Sequence, residues 1–298
     1  MIDATDPHEN TDWVGAWHCR TLSRSLSNQI HFTIQGDRSQ PIVLFLHGFL
    51  GSCDDFDAIV PLLLDQFCCL SIDLPGHGKT QVNEEDYTMP NTAKLIVNLL
   101  DRLNISQCHL IGYSMGGRLA LYLALQFPDR FLKAVLESAS PGLKTESERL
   151  ARKQHDAKLA DRLESDFSAF LADWYEQPLF RSFQQHPKFE QIVQQRLQNR
   201  PSELAKSLRH LGTGEQPSLW NRLKIHRNPL LLLVGERDRK FITINQEMVN
   251  DCKVAQLKVI PNTGHNIHVE DPQIFANCVR NFLQDFGEMS RLAIALSE

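Results

Sequence analysis

Long apolar runs are missing from this sequence. No continuous hydrophobic stretch approaches the ~20 residues that a bilayer-spanning helix needs, so no membrane insertion is expected. The first dozen residues are polar and acidic, without the basic start and apolar stretch of a secretion signal. An excess of positive charge is missing too: 31 Lys and Arg stand against 36 Asp and Glu, for a formal net charge of -5. A nucleic-acid surface calls for clustered basic charge, so no nucleic-acid partner is expected. Small anionic ligands stay possible, because a few local arginines can override a mildly negative whole. No Cys-x-x-Cys pair occurs among the seven cysteines, Cys19, Cys53, Cys68, Cys69, Cys108, Cys252 and Cys278. An odd number without that spacing reads as reduced thiols in a cytoplasmic protein, not as a disulfide frame or a zinc site. Internal repeats and low-complexity tracts are also absent.

What the chain does have is 298 residues of ordinary globular composition, 42% hydrophobic and 22% charged. Two short stretches, 16–22 and 29–35, alternate like strands. Continuous apolar runs follow at 41–47, 67–73, 108–112, 131–137, 229–234 and 255–260. Such runs suit strands buried on both faces of a parallel sheet. Residues 92–103 and 115–127 read as helices between them. Strand–helix alternation predicts an α/β protein with a mostly parallel central sheet flanked by helices. One segment breaks the alternation: residues 141–217 are polar, helical in pattern and without a buried-strand run. It is expected to form an inserted helical cap, leaving 1–140 and 218–298 as the core domain.

The strongest local signal is Gly112-Tyr113-Ser114-Met115-Gly116, which ends an apolar run and opens a helix. Glycines permit a sharp turn that lifts Ser114 above the sheet edge, the arrangement of the nucleophile turn in α/β-hydrolase-fold proteins. The helix N-terminus beneath it suits a developing anion. A serine hydroxyl needs a neighbour to take its proton, and in that fold an acid and then a histidine follow in the chain. Asp238, just past the run at 229–234, is the expected acid, and His265, in the loop after 255–260, the expected base. Glu236 has nearly the same spacing as Asp238, and Asp271 and His268 also compete. Backbone N–H groups of Phe49 and Met115 are expected to form an oxyanion hole. His47 and His77 read as loop residues. Arg118 lies one turn after Ser114 on the same helix face. A cation there opposes the helix dipole, which suggests an anionic substrate, unless the side chain simply reaches solvent or pairs with an acid.

These stretches carry a family resemblance. Gly112-Tyr-Ser-Met-Gly-Gly-Arg118 is similar to the serine turn of the 2-succinyl-6-hydroxy-2,4-cyclohexadiene-1-carboxylate synthases, α/β-hydrolase-fold enzymes of menaquinone and phylloquinone biosynthesis. Leu46-His-Gly-Phe-Leu-Gly51 and Asp73-Leu-Pro-Gly-His-Gly78 also fit, though many relatives share them. Glu148-Arg-Leu-Ala-Arg152, Asp173-Trp-Tyr-Glu-Gln-Pro-Leu-Phe180, Gly235-Glu-Arg-Asp-Arg-Lys-Phe241 and Gly264-His-Asn-Ile-His268 extend the resemblance over most of the chain. The resemblance implies a lyase that abstracts a ring proton and eliminates pyruvate from 2-succinyl-5-enolpyruvyl-6-hydroxy-3-cyclohexene-1-carboxylate, using no cofactor and no metal. It implies Ser114 as base, activated by His265 and Asp238. It also implies that Tyr113, Arg118, Arg152, Trp174 and Arg196 hold the substrate, with Arg200 competing for the place of Arg196. A small polycarboxylate partner agrees with several arginines, which grip carboxylates bidentately. Two rival readings stand beside this one: a serine hydrolase of the same fold acting on an anionic ester or a ring-fission product, and a non-catalytic ligand-binding protein.

Overall fold

The computed structural model describes residues 18–23 and 29–285; the acidic start at 1–12 and the tail after residue 286, noted above, lie outside them. Eight strands form one sheet: β1 (His18–Ser23), β2 (Gln29–Gln35), β3 (Ile42–Leu46), β4 (Cys68–Ile72), β5 (Cys108–Tyr113), β6 (Phe131–Glu137), β7 (Leu230–Gly235) and β8 (Ala255–Ile260). Their order is β1-β2-β4-β3-β5-β6-β7-β8. β1 and β2 run antiparallel to their neighbours. From β4 to β8 all pairs are parallel, the α/β-hydrolase architecture that the alternation predicts.

The apolar runs follow from burial on both faces. Leu44, Leu46, Leu70 and Leu110 belong to the core on one face, and Val43, Phe45, Cys69 and Ile111 to the core on the other. With period-two alternation, every second side chain serves each layer. Helices cover both faces: α1 (Met89–Arg102) and α2 (Met115–Gln126) pack on the first, and the helix at Pro272–Gln284 packs on the second. α1 starts three residues earlier than its apolar pattern suggests, because Pro90 is accommodated in the first turn.

Between β6 and β7 come α3 (Glu146–Ser165), α4 (Phe167–Tyr175), α5 (Phe189–Arg196) and α6 (Pro201–Leu211). α3 opens on a capping box, with Thr145 and Glu148 each bonding the other's backbone N–H. These helices pack around their own apolar cluster, which includes Leu163, Phe170, Phe183, Leu204 and Leu208, and Leu50 of the loop after β3 is buried in it. The segment leaves and rejoins the core at one point, where the Leu219 N–H donates to Pro141 O at 2.8 Å. The chain then runs through α7 (Trp220–Leu223), β7, α8 (Arg239–Asp251), β8, α9 (Ile267–Glu270) and α10 (Pro272–Gln284). Among the described residues, no helix is long and apolar enough to cross a membrane.

Candidate active site

Ser114 sits at the hinge between β5 and α2 with φ 50° and ψ -106°. This is positive-φ backbone on a residue with a Cβ, a conformation that costs about 1–3 kcal/mol and is held by its surroundings. The Ser114 N–H donates to Glu137 O at the end of β6 (2.9 Å), and its carbonyl accepts the Arg118 N–H (2.9 Å). Gly116 lets α2 come down on the sheet: a methyl there would overlap the carbonyl oxygens of Leu46 and His47.

Two loops bring partners to the serine. His265 Nε2 lies 3.2 Å from Ser114 Oγ, and His265 Nδ1 lies 2.6 Å from Asp238 Oδ2. Both His265 and Asp238 are buried. Asp238 is fixed twice, since its other oxygen caps α8 by accepting the Phe241 N–H. The competing residues are engaged elsewhere. Glu236 accepts the Asn262 N–H, and Asp271 caps α10 through the Ile274 N–H. His268 bonds Glu137 through both its backbone N–H and Nδ1. Burial is the largest single influence and would lower the His268 imidazole, but the Glu137 charge, the Glu137 hydrogen bond and the Asp55 charge together outweigh it and raise its pKa.

The loop after β3 presents Phe49 to the same space. His47 Nδ1 bonds Gly48 O (2.7 Å), and His47 Nε2 accepts the Leu74 N–H (2.9 Å). The second bond fixes the tautomer, so Nδ1 is the donor. Gly48 C=O and Phe49 N–H belong to one planar trans peptide and point opposite ways; fixing the carbonyl therefore aims the N–H. The turn is closed by Gly51 N–H to Gly48 O (3.0 Å), with Leu50 at φ 71°. Neither the Phe49 nor the Met115 N–H has a partner among the described residues, and both residues line the cavity in front of Ser114.

That cavity has a volume of about 420 Å³ and also reaches His265, Arg118, Arg152 and Trp174. Arg118 is buried and, among the described residues, donates only to neutral acceptors, Gln216 Oε1 (3.2 Å) and Leu211 O (3.1 Å). Burial, reinforced by the neighbouring Arg152, lowers its pKa from 12.5 to about 10. Arg152 uses Nε on Asp156 (2.6 Å), while Asp156 also accepts the Gly214 N–H. The Arg152 Nη groups have no acceptor among the described residues. The two guanidinium groups share the one carboxylate of Asp156, and Lys144, Lys240, Glu148 and Glu247 also line the cavity; the pair of arginines suits an anionic ligand. Trp174 stacks on Phe170 and meets the Phe49 ring edge-on.

Two residues expected at the substrate are placed elsewhere. Tyr113 does not line the cavity; strand alternation turns it to the face of Ile111, where its hydroxyl bonds Asn266 Oδ1 (2.5 Å) beneath the His265 loop. Arg196 does not line it either. Its guanidinium is buried against Asp55 in a bidentate pair (2.6 and 3.0 Å), and Arg200 bonds Thr80 O. Conversely, Gln216, Asp156 and Lys240 belong to the site or its support without having been singled out. Asp156 was legible as the i+4 partner of Arg152 on one helix face; Gln216 carries no local signal. A possible ligand cluster, His31, Cys53 and Asp73, is built as a hydrogen-bonded loop instead. Asp73 is engaged by His31 and by the Cys53 and Lys79 N–H groups, and burial raises the Cys53 thiol, disfavouring a thiolate.

The sheet order and the serine turn define a class, and residues 41–272 match it directly: the chain belongs to the α/β hydrolase fold family. Closer relatives narrow this. A protein of Bacillus subtilis (strain 168) named putative 2-succinyl-6-hydroxy-2,4-cyclohexadiene-1-carboxylate synthase is 38% identical over 88% of this chain and 98% of its own. The synthase of that name from Enterobacter sp. (strain 638) is 35% identical over 85% and 95%. The solved structure of MenH from S. aureus superposes with a TM-score of 0.82 at 37% identity, covering 86% of this chain and 98% of that one. Within the hydrolase-fold proteins, this chain is a member of the 2-succinyl-6-hydroxy-2,4-cyclohexadiene-1-carboxylate synthase family. A more distant structure, an esterase from Thermogutta terrifontis with malate bound, has a TM-score of 0.77 at 26% identity, covering 91% of this chain and 99% of that one.

Proposed function

We propose that this protein eliminates pyruvate from 2-succinyl-5-enolpyruvyl-6-hydroxy-3-cyclohexene-1-carboxylate, as a step of menaquinone or phylloquinone biosynthesis. The observation that carries the reading is one cavity holding both a Ser114–His265–Asp238 hydrogen-bond row and a buried Arg118 whose acceptors among the described residues are neutral. Asp156, already paired with Arg152, offsets only part of the cost of burying this cation, and a carboxylate-bearing substrate would relieve the rest.

In this reading Ser114 Oγ gives its proton to His265 Nε2 and takes the proton from the ring carbon that bears the succinyl ketone. Asp238 orients the imidazole and stabilises its cationic form. The electron pair left on carbon delocalises onto the ketone oxygen, which the Phe49 and Met115 N–H groups stabilise. The pair then moves through the ring double bond, and the bond to the enolpyruvyl oxygen breaks. Pyruvate leaves as its enolate and takes up the proton held on His265 Nε2, which returns the imidazole to its neutral form, with no net redox change and no added water. Arg118 and Arg152 hold carboxylates and Trp174 packs on the ring. Residues 141–217 act as a cap that excludes water. Cys53, Cys68, Cys69, Cys108, Cys252 and Cys278 are buried free thiols, which supports a reducing, cytoplasmic setting.

The test supplies the purified protein with the enolpyruvyl substrate made in situ and follows pyruvate with lactate dehydrogenase. Rapid release that disappears in Ser114→Ala is expected; release no faster than the spontaneous background would refute the synthase. The esterase with malate bound favours one second reading, hydrolysis of an anionic ester by the same residues. That reading predicts turnover of anionic esters where the synthase predicts none.

A further inference from the structure

The corner of the cap between α5 and α6 touches the loop after β3 in a way the reaction as written does not use. Asn199 Nδ2 donates to Leu50 O (2.9 Å) and to Arg196 O (3.1 Å). Its Oδ1 accepts the Gly78 N–H (3.3 Å) from the loop after β4. Three residues earlier, Arg196 grips Asp55 at the far end of the same loop. Between these two holds, the Leu50 side chain is buried in the cap's apolar cluster, and the Phe49 ring meets Trp174 of α4. The loop carrying Phe49 is therefore held by the cap at four places: a carbonyl, a carboxylate and two side chains.

Leu50 lies at φ 71°, a left-handed conformation that a residue with a Cβ adopts only when held there. The chain directly after Phe49 is thus the strained part of the turn, and Asn199 binds its carbonyl. Only an amide side chain both donates to two carbonyls and accepts from an N–H at one place. Aspartate has the same shape and lacks the donors.

We propose that Asn199 is a positioning residue: seating of the cap sets the aim of the Phe49 N–H, so that the oxyanion site is complete only with the cap in place. This rests on the assignment of Phe49 as an oxyanion donor. Asn199 touches neither substrate nor Ser114. Its effect belongs to the transition state, because the ketone oxygen gains negative charge only as the ring proton is removed and not in the bound substrate.

The experiment uses Asn199→Asp in the full chain, with two readouts. Pyruvate release gives kcat and KM; the expected result is a kcat lower by about tenfold to a hundredfold, with KM changed by less than about threefold, as for a misaimed transition-state donor. Hydrogen exchange gives the hold itself; peptides covering residues 46–52 should exchange faster than in the wild type while those covering β5 and β6 keep their protection. Unchanged exchange at 46–52 overturns the proposal, whatever the kinetics. Faster exchange there with unchanged kcat also overturns it, since the hold would then be structural only. A rise in KM at constant kcat would do the same by indicating a role in substrate binding. Wild-type protein that releases no pyruvate would count against the proposed reaction, while the exchange readout would still decide whether Asn199 holds the loop.

Discussion

Arg118→Met separates a residue kept for ligand binding from one kept for stability. Methionine fills a similar space without charge. Burial and the nearby Arg152 lower the folded pKa of Arg118 from 12.5 to about 10. At about 1.4 kcal/mol per unit, the folded state bears on the order of 3 kcal/mol for keeping this cation. The folded value lies below the unfolded one, so the cost is complete below about pH 10 and is relieved only as the pH rises through 10 toward 12.5. Removing the charge removes that cost. Against this, Leu211 O and Gln216 Oε1 lose their donor, at about 1–3 kcal/mol each where no water reaches them. The two effects nearly cancel, and urea unfolding should place the variant within about 2 kcal/mol of the wild type. Activity should not be spared. A bidentate, charge-assisted grip on a carboxylate, at about 1.5–3 kcal/mol per bond, predicts a kcat/KM lower by roughly 10²- to 10⁴-fold. A variant that loses more than about 4 kcal/mol of stability while keeping kcat/KM within tenfold would refute the reasoning and make Arg118 a structural residue.

The same substitution at Arg196 should have the opposite signature. Arg196→Met leaves Asp55 buried and alone, and should cost about 3–5 kcal/mol in urea unfolding; stability within about 1 kcal/mol of wild type would contradict the buried pair. Gly116→Ala drives a methyl into two backbone carbonyls that cannot retreat, and should lower the thermal midpoint by the equivalent of about 3 kcal/mol or more; an unchanged midpoint would mean that α2 sits further from β3. His77 is held neutral by burial, with its pKa lowered from 6.5 to about 3. The unfolded chain then takes up the proton first, so stability is lost as the pH falls below about 6.5, by about 2 kcal/mol at about pH 5. His77→Gln should flatten this acid limb by nearly one proton in a series of unfolding midpoints; an unchanged slope would locate acid sensitivity elsewhere.

The sheet was readable because strands buried on both faces leave continuous apolar runs, as at 41–47 and 229–234. Ser114, Asp238 and His265 were readable because each follows such a run directly, so that sheet geometry brings distant stretches together. The limits have equally local causes. Tyr113 adjoins Ser114 in sequence, yet strand alternation turns its ring to the opposite face with Ile111. Arg196 looks like any cation on a polar helix, and its partner Asp55 lies 141 positions away; no periodicity links them. The choice of Asp238 over Glu236 was open in sequence, and rests in the structure on which carboxylate reaches His265.

The helical segment between β6 and β7 departs and returns, among the described residues, at one backbone hydrogen bond, Leu219 N–H to Pro141 O. To the sheet, the intervening chain is a closed loop whose ends already meet, and lengthening such a loop costs little: each doubling adds only about 0.6 kcal/mol of closure entropy. The segment that shapes the cavity can therefore be exchanged, shortened or rebuilt between those two residues without asking β6 and β7 to move. The junction makes the helical segment a replaceable part, and the contacts of Asn199, Arg196, Arg200 and Leu211 with the core are among those that any replacement would have to reproduce.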